Sequence, residues 1–425
     1  MTASEATGAT AASATPVTFN PFEPGFFDDP YAQYAQLRAG DPVHHSPLGI
    51  WALFRYEDVN RLLRDPQLSV DFENANPMLR TQMMQEVAGD RGERGSRSML
   101  NLDPPDHTRL RRLVQKAFTP RMVENLRPRV QELVDEALDA VAARGGSDGP
   151  AMGVAMDVVM DLAFPLPFTV ISEMLGMPEA DRLRLRGWSH TMVKTLDPVI
   201  TPDEVQAAME AADHMLAHVQ DTIEWKRAHP ADDLLSGLLH AEEDGDTLTT
   251  EELIDQVMLL FIAGHETTVN LIGNGTLALL RNRAQLERLQ ADPSLDVNAV
   301  DELLRYDSPV QFSRRIATDD IEIEGRAIER GAFVMTALGS ANRDEDRWGA
   351  DADRLDLARQ GAGQHVSFGS GVHHCLGAPL ARLEGQVAIG TLVRRFPQIE
   401  LATDQPEWNG RIVLRGLDSL PVTLR

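Results

Sequence analysis

Through most of residues 105–300, apolar side chains recur at intervals of three and four, the spacing that lays one apolar stripe along a helix. The segments "HTRLRRLVQKAF", "MVENLRPRVQELVDEALDAVAA" and "DEVQAAMEAADHMLAHVQDTIEWKRA" carry it most clearly. Thr249 and Glu252 have capping-box spacing and predict a further helix through "ELIDQVMLLFIAG". After Cys375, "LGAPLARLEGQVAIGTLVRRF" reads as a helix with Pro379 near its first turn. Strand-like alternation is sparser. It marks "GIWALFR" near residue 50, expected to pair with later segments, and "IEIEGRAIERGAFVMTAL" with its turn glycines. "IVLRGLDSLPVTLR" at the C-terminus reads as one more hairpin. The pattern predicts a mainly α chain with small β-sheets (α+β). Without a repeat or long linker, residues 19–425 read as a single domain behind a disordered tail, 1–18, rich in Ala, Ser and Thr.

Composition narrows the classes. With 43% hydrophobic and 25% charged residues in 425, the chain is that of a globular protein with a large core. A net charge of −25 argues against nucleic acid as a partner. The N-terminus lacks a basic and apolar leader, and no apolar run approaches the roughly 18 residues that cross a bilayer. No membrane association and a cytoplasmic location are expected. One cysteine cannot form an internal disulfide, in keeping with a reducing compartment.

Several chemistries find no motif. No phosphate-binding loop occurs, and the glycines of "GAGQHVSFGSG" lack the dinucleotide spacing. "HETTV" at 265–269 begins like a zinc-protease signature but ends in Val269. His214 and His218, four apart, read as two histidines on a partly solvated helix rather than as metal ligands.

The lone Cys375 sits in "FGSGVHHCLGAPLAR", residues 368–382. A buried lone cysteine is commonly a small hydrophobe. Here Gly369, Gly371 and Gly377 strip side chains from its surroundings, and the sulfur would stand at a helix N-terminus, where backbone N–H groups favour a thiolate. Such a thiolate, open on one side, suits a soft or borderline metal such as haem iron.

The stretch matches F-x-x-G-x-x-x-C-x-G through Phe368, Gly371, Cys375 and Gly377, and resembles the haem-binding signature of the cytochrome P-450 family. The resemblance implies that Cys375 is the proximal ligand of a haem b iron, that Phe368 packs beside the sulfur and that His373 reaches a propionate; His374 receives no role. "AGHETT" at 263–268 resembles the family's central distal helix, with Ala263 and Thr267 on one face. It implies a Thr267 hydroxyl that supports dioxygen and a Glu266 acid that relays protons. The alternative for Thr267 is a bond back to its own i−4 carbonyl. Glu302 and Arg305 in "ELLR" resemble the structural E-x-x-R pair, and "ANRDEDRWGADADRLD" the following meander, with Glu345 and Leu355 as departures. "LDPPDHTRLRRLV" resembles the helix beside the haem, which implies His107 and Arg111 as propionate ligands, helped by Arg315; a solvated surface is the other reading of these basic residues.

The resemblance covers nearly everything from residue 20 on, and is to the bacterial type without a membrane anchor. It implies a monomeric haem-thiolate monooxygenase that takes dioxygen as co-substrate and hydroxylates an apolar small molecule. Electrons would come from a ferredoxin or flavodoxin with its reductase. Arg109, Arg112 and Lys116 form a basic patch for that partner, or a solvated helix face. By position, Met99, Leu259, Ala263, Val310, Gln311, Phe312, Val413 and Leu414 are candidates to line the substrate pocket. Met78, Met83 and Met84 add flexible apolar groups, which packing would explain equally well. A steroid, terpenoid, fatty acid or polyketide would fit such a pocket. A peroxide-driven peroxygenase and a non-catalytic haem sensor share Cys375, but have less use for Glu266 and Thr267.

Overall fold

The computed structural model describes residues 17–77, 82, 86–87, 97–144, 153–177, 182–240, 242–243 and 246–424. Most of the predicted tail, and Met78, Met83 and Met84, lie outside the described residues. The principal helices are α1 (Tyr31–Gly40), α2 (Asp106–Val114), α3 (Arg127–Ala143), α4 (Pro165–Met174), α5 (Arg182–Met192), α6 (Pro202–Ala228), α7 (Thr250–Arg281), α8 (Asp296–Tyr306) and α9 (Ala378–Arg395). Pro128 splits the long stretch predicted from Met122 into a short helix ending at Asn125 and α3, as a ring that clashes with a preceding turn requires.

Helix α7 is the axis of the molecule. Thr249 and Glu252 form the predicted capping box at its start, and the helix runs 32 residues, about 48 Å. Its C-terminal half is buried on nearly every side, which its apolar and small residues permit. α4, α6, α8 and α9 all pack on it. Gly275 and Gly385 make the α7–α9 crossing close: a Cβ on either would approach neighbouring side chains to 3.1 Å. One apolar cluster links α3, α4, α7, α8 and α9.

A five-stranded sheet flanks this bundle: β1 (Val43–His45), β2 (Trp51–Leu53), β3 (Leu68–Ser69), β4 (Phe312–Ala317) and β5 (Phe333–Ala337), in the order β1-β2-β5-β4-β3. β2 lies parallel to β5, and β5 antiparallel to β4 with Val334 opposite Arg315. The C-terminal residues do not form the single hairpin predicted. Leu417–Ser419 pairs with Glu407–Trp408, whereas Pro421–Leu424 runs between Val154–Asp157 and Glu400–Leu401. Asp157 draws the two apart, accepting from Leu420 N at 3.0 Å and Ser419 Oγ at 2.7 Å. No helix among the described residues is long and apolar enough to cross a membrane.

Candidate active site

Cys375 occupies the loop that leads into α9. Its backbone N–H donates to Phe368 O at 2.9 Å, which closes residues 368–375 into a tight loop. Phe368 anchors the loop against Leu271, Val300 and Leu304, with the Arg382 guanidinium 4.6 Å from its ring centre. Gly371 has φ +72°, and a Cβ there would lie 2.7 Å from Leu63 O, so this glycine serves close backbone approach rather than room around the sulfur. At Gly377 a Cβ would meet no protein atom within 4 Å. The thiol opens onto an internal cavity and is otherwise enclosed by protein. Burial pushes it up from its ordinary range; the N–H groups of Gly377 and Ala378 and the charges of Arg111 and Arg382 pull the other way.

The cavity measures ≈ 880 Å³ and lies between the Cys375 loop and α7. Leu259, Ala263, Glu266 and Thr267 reach it from α7, and Met99, Val310, Phe312, Val413 and Leu414 from other elements. Gln311 does not line it. That side chain is buried behind the wall, donating to Ser308 O at 2.7 Å and to the Tyr31 hydroxyl at 3.1 Å. The Thr267 hydroxyl donates to Ala263 O at 3.0 Å, the local bond weighed as an alternative for it. Its oxygen keeps lone pairs to accept with.

One end of the cavity is basic. His107, Arg111, Arg314, Arg315 and His373 all line it, and the rings of His107 and His373 lie 4.2 Å apart. Burial and the neighbouring His107 and Arg315, with Arg111 and Arg314 behind them, push His373 down to about 3. Burial holds Arg315 down to about 10, with Asp103 the one group opposing it. His107 Nδ1 is buried without a hydrogen-bond partner. Basic groups this crowded fit an anionic ligand group at this end, as the two propionates of a haem supply. With the thiol facing the same cavity, the residues present fit a haem. Arg111 also donates to His374 O at 2.8 Å and so braces the cysteine loop.

Behind that loop, Arg305 and Glu302 are joined by two hydrogen bonds and are both fully buried. Arg305 also donates to the carbonyls of Asn342, Ala352 and Arg354. Glu302 accepts in turn from Asp356 N at 3.0 Å and Arg359 Nε at 3.1 Å. Arg359 is the member that the sequence reading missed.

The Glu266 carboxylate is buried and faces away from solvent toward α5, 3.4 Å from Ser189 Oγ and 3.7 Å from Arg411 Nη1. Glu384 on α9, also missed, lines the cavity, and its carboxyl oxygens are buried beside the Thr268 side chain. Burial pushes its carboxyl up to about 8, offset only in part by the Thr268 side chain. A carboxyl in an apolar helix is visible in sequence, but its depth is not.

The sequence profile described as Cytochrome P450 matches residues 79–294 and 295–413. The chain belongs to the cytochrome P450 family. It is similar to Cytochrome P450 107B1 of Saccharopolyspora erythraea, 42% identical over 410 residues, covering 94% of this chain and 96% of the relative. It is 43% identical over 410 residues to the Vitamin D(3) 25-hydroxylase of Pseudonocardia autotrophica, covering 95% and 96%. Among solved structures, a myxobacterial cytochrome P450 in complex with myristic acid superposes with a TM-score of 0.85 at 40% identity, covering 95% of this chain and 98% of that one. Membership brings a haem iron, the use of dioxygen, a redox partner and a lipophilic substrate.

Within this P450 the other predicted residues fall as follows. Arg109 is paired with Glu252 at the start of α7, which leaves Arg112 and Lys116 as the exposed members of the basic patch. His214 stacks on Trp188 with ring centres 5.3 Å apart, and His218 is one turn further along α6.

Proposed function

We propose that this P450 is a haem b monooxygenase that hydroxylates an apolar organic molecule of sterol, terpenoid, fatty-acyl or polyketide type. The observation that carries the reading is the Cys375 thiol on a ≈ 880 Å³ cavity that Ala263, Gly264, Glu266 and Thr267 of α7 also line. Cys375, as thiolate, would hold the iron. His107, Arg111, Arg315 and His373 would hold the propionates, and Phe368 would shield the sulfur. When bound, the haem would supply reductive activation of dioxygen.

The chain's own residues bind, orient and move protons. Met99, Leu259, Val310, Phe312, Val413 and Leu414 would exclude water and hold the substrate through apolar contact. Ala263 keeps the wall beside Thr267 low, leaving space at the reacting centre. The Thr267 hydroxyl, anchored on Ala263 O, presents its oxygen to the cavity, and Glu266 one residue earlier would resupply protons. Relatives that support the substrate class include the polyketide biosynthesis P450 PksS of Bacillus subtilis and the vitamin D hydroxylase. Electrons would arrive from a ferredoxin or flavodoxin at the face bearing Arg112 and Lys116.

Turnover under ¹⁸O₂ with a surrogate ferredoxin system tests this. Product carrying one ¹⁸O atom is expected. Product formed only with added peroxide, and none with the ferredoxin system, would instead establish a peroxygenase.

A further inference from the structure

A second, much smaller cavity lies on the far side of α7. It measures ≈ 20 Å³ and is bordered by Arg186, His190, Glu266, Asn270, Asn409 and Asp418, with Val159, Phe164, Val269 and Leu417 completing it. Of these residues only Glu266 also borders the large cavity. Among the described residues Glu266 is therefore the one that lines both spaces, with its carboxylate on the side of Ser189, His190 and Arg411.

The volume admits one water molecule, and the walls are polar enough to hold it. Asn270 Nδ2 and the Arg411 Nε and Nη1 are buried beside Glu266 without hydrogen-bond partners. His190 Nδ1 stands 4.0 Å from Glu266 Oε1, too far for a direct hydrogen bond and suited to one bridging water. The His190 side chain is 35% exposed, so its ring meets both solvent and the small cavity. His265, also 3.9 Å from Glu266, is unsuited to this exchange. It is fully buried, and its ring nitrogens are engaged by Phe261 O at 2.7 Å and Ser189 Oγ at 3.0 Å.

The charged and titratable groups around His190 come from every neighbouring element: Arg186 on its own helix α5, Glu266 and His265 on α7, and Arg411 and Asp418 from the C-terminal segment. Burial and Arg411 lower its proton affinity, and Glu266 and Asp418 raise it. The ring is thereby neutral near pH 7, with one nitrogen to receive a proton and one to give it.

We propose that His190 is the solvent-side proton relay of Glu266, passing protons through one water in the small cavity. In each passage the ring takes a proton from bulk water at Nε2 and gives its Nδ1 proton to the bridging water, which protonates Glu266 Oε1. Rotation of the half-exposed ring to solvent, where Nε2 gives up its proton and Nδ1 takes one, restores the starting tautomer, and no other bond changes. Glu266 then delivers the proton to the large cavity beside Thr267. The inference rests on the monooxygenase reading.

His190→Phe and His190→Gln test it. Both variants are first checked for the carbon monoxide band of a thiolate-bound haem; absence of that band in the wild type would refute the monooxygenase reading, not the relay. In variants that keep the band, hydroxylated product per reductant is expected to fall roughly tenfold, less than the ~10²–10⁴-fold of a complete acid–base group because water replaces an exposed relay in part. Hydrogen peroxide and the solvent isotope effect should rise, and substrate-induced spectral change should stay the same. Independently of turnover, NMR titration should show His190 protonating at lower pH in Glu266→Gln than in the wild type. Unchanged coupling and isotope effect in both variants, or no movement of the His190 titration in Glu266→Gln, would overturn the proposal.

Discussion

Arg305 and Glu302 face each other through parallel hydrogen bonds of 2.7 and 2.8 Å, and neither side chain reaches solvent. The pair sits one helical turn apart on α8, yet its partners lie 37 to 57 residues further on. It ties the meander at 342–359 to the back of the cysteine loop. Removing Arg305 leaves the buried Glu302 with Arg359 as its one remaining cation and strands the carbonyls of Asn342, Ala352 and Arg354. Arg305→Leu is expected to destabilise the fold by about 3–5 kcal/mol, read as a shift in the denaturation midpoint. Arg305→Lys should also fail, because one ammonium cannot serve Glu302 and three carbonyls in a plane.

Glu384 gives the protein a predictable pH response. Its folded value of about 8 lies above its ordinary value of 4.5, so the folded state holds a proton that the unfolded chain releases. Below pH 4.5 both states are protonated and the group costs nothing. Between 4.5 and 8 stability falls as pH rises, by at most about 1.4 kcal/mol per unit. Urea denaturation at pH 5, 6.5 and 8 should show this decline, and Glu384→Gln should flatten it.

On the proposed reading, Glu266 and Thr267 would act on protons rather than on substrate affinity. Glu266→Gln is expected to lower hydroxylation by roughly 10²-fold while the substrate dissociation constant stays within about twofold. Thr267→Val should divert reducing equivalents to hydrogen peroxide. Product and peroxide measured against reductant consumed check both.

Arg112 and Lys116 are exposed on the stretch that begins with α2. Reversing both to Glu should slow reduction by an acidic ferredoxin about tenfold at low ionic strength, with the difference shrinking at ~0.5 M salt. Stopped-flow reduction at two salt concentrations distinguishes docking from a merely solvated face, for which neither rate would change.

The legibility of this fold varied with the range of the interaction. The Cys375 loop, the capping box at Thr249 and the Glu302–Arg305 spacing are all local and stood out in the chain. Arg359 joins Glu302 across 57 residues and Arg411 reaches Glu266 from the far end of the sequence; no local pattern encodes either. Gln311 was grouped with Val310 and Phe312, but successive residues in extended chain point to opposite sides, so the three could not share one wall. The C-terminal strands read as one hairpin because their alternation carries no trace of Asp157, which separates them. The basic end of the cavity was recognised through His107, Arg111, Arg315 and His373, while Arg314 went unnoticed beside Arg315.

The most direct test of the account is the carbon monoxide difference spectrum of the dithionite-reduced protein, recorded beside Cys375→Ser. A strongly red-shifted Soret band in the wild type, lost in the variant, is the predicted result and would place the haem on the Cys375 sulfur. A folded, haem-supplied wild-type protein with no haem band, or a variant with the same band as the wild type, would contradict it.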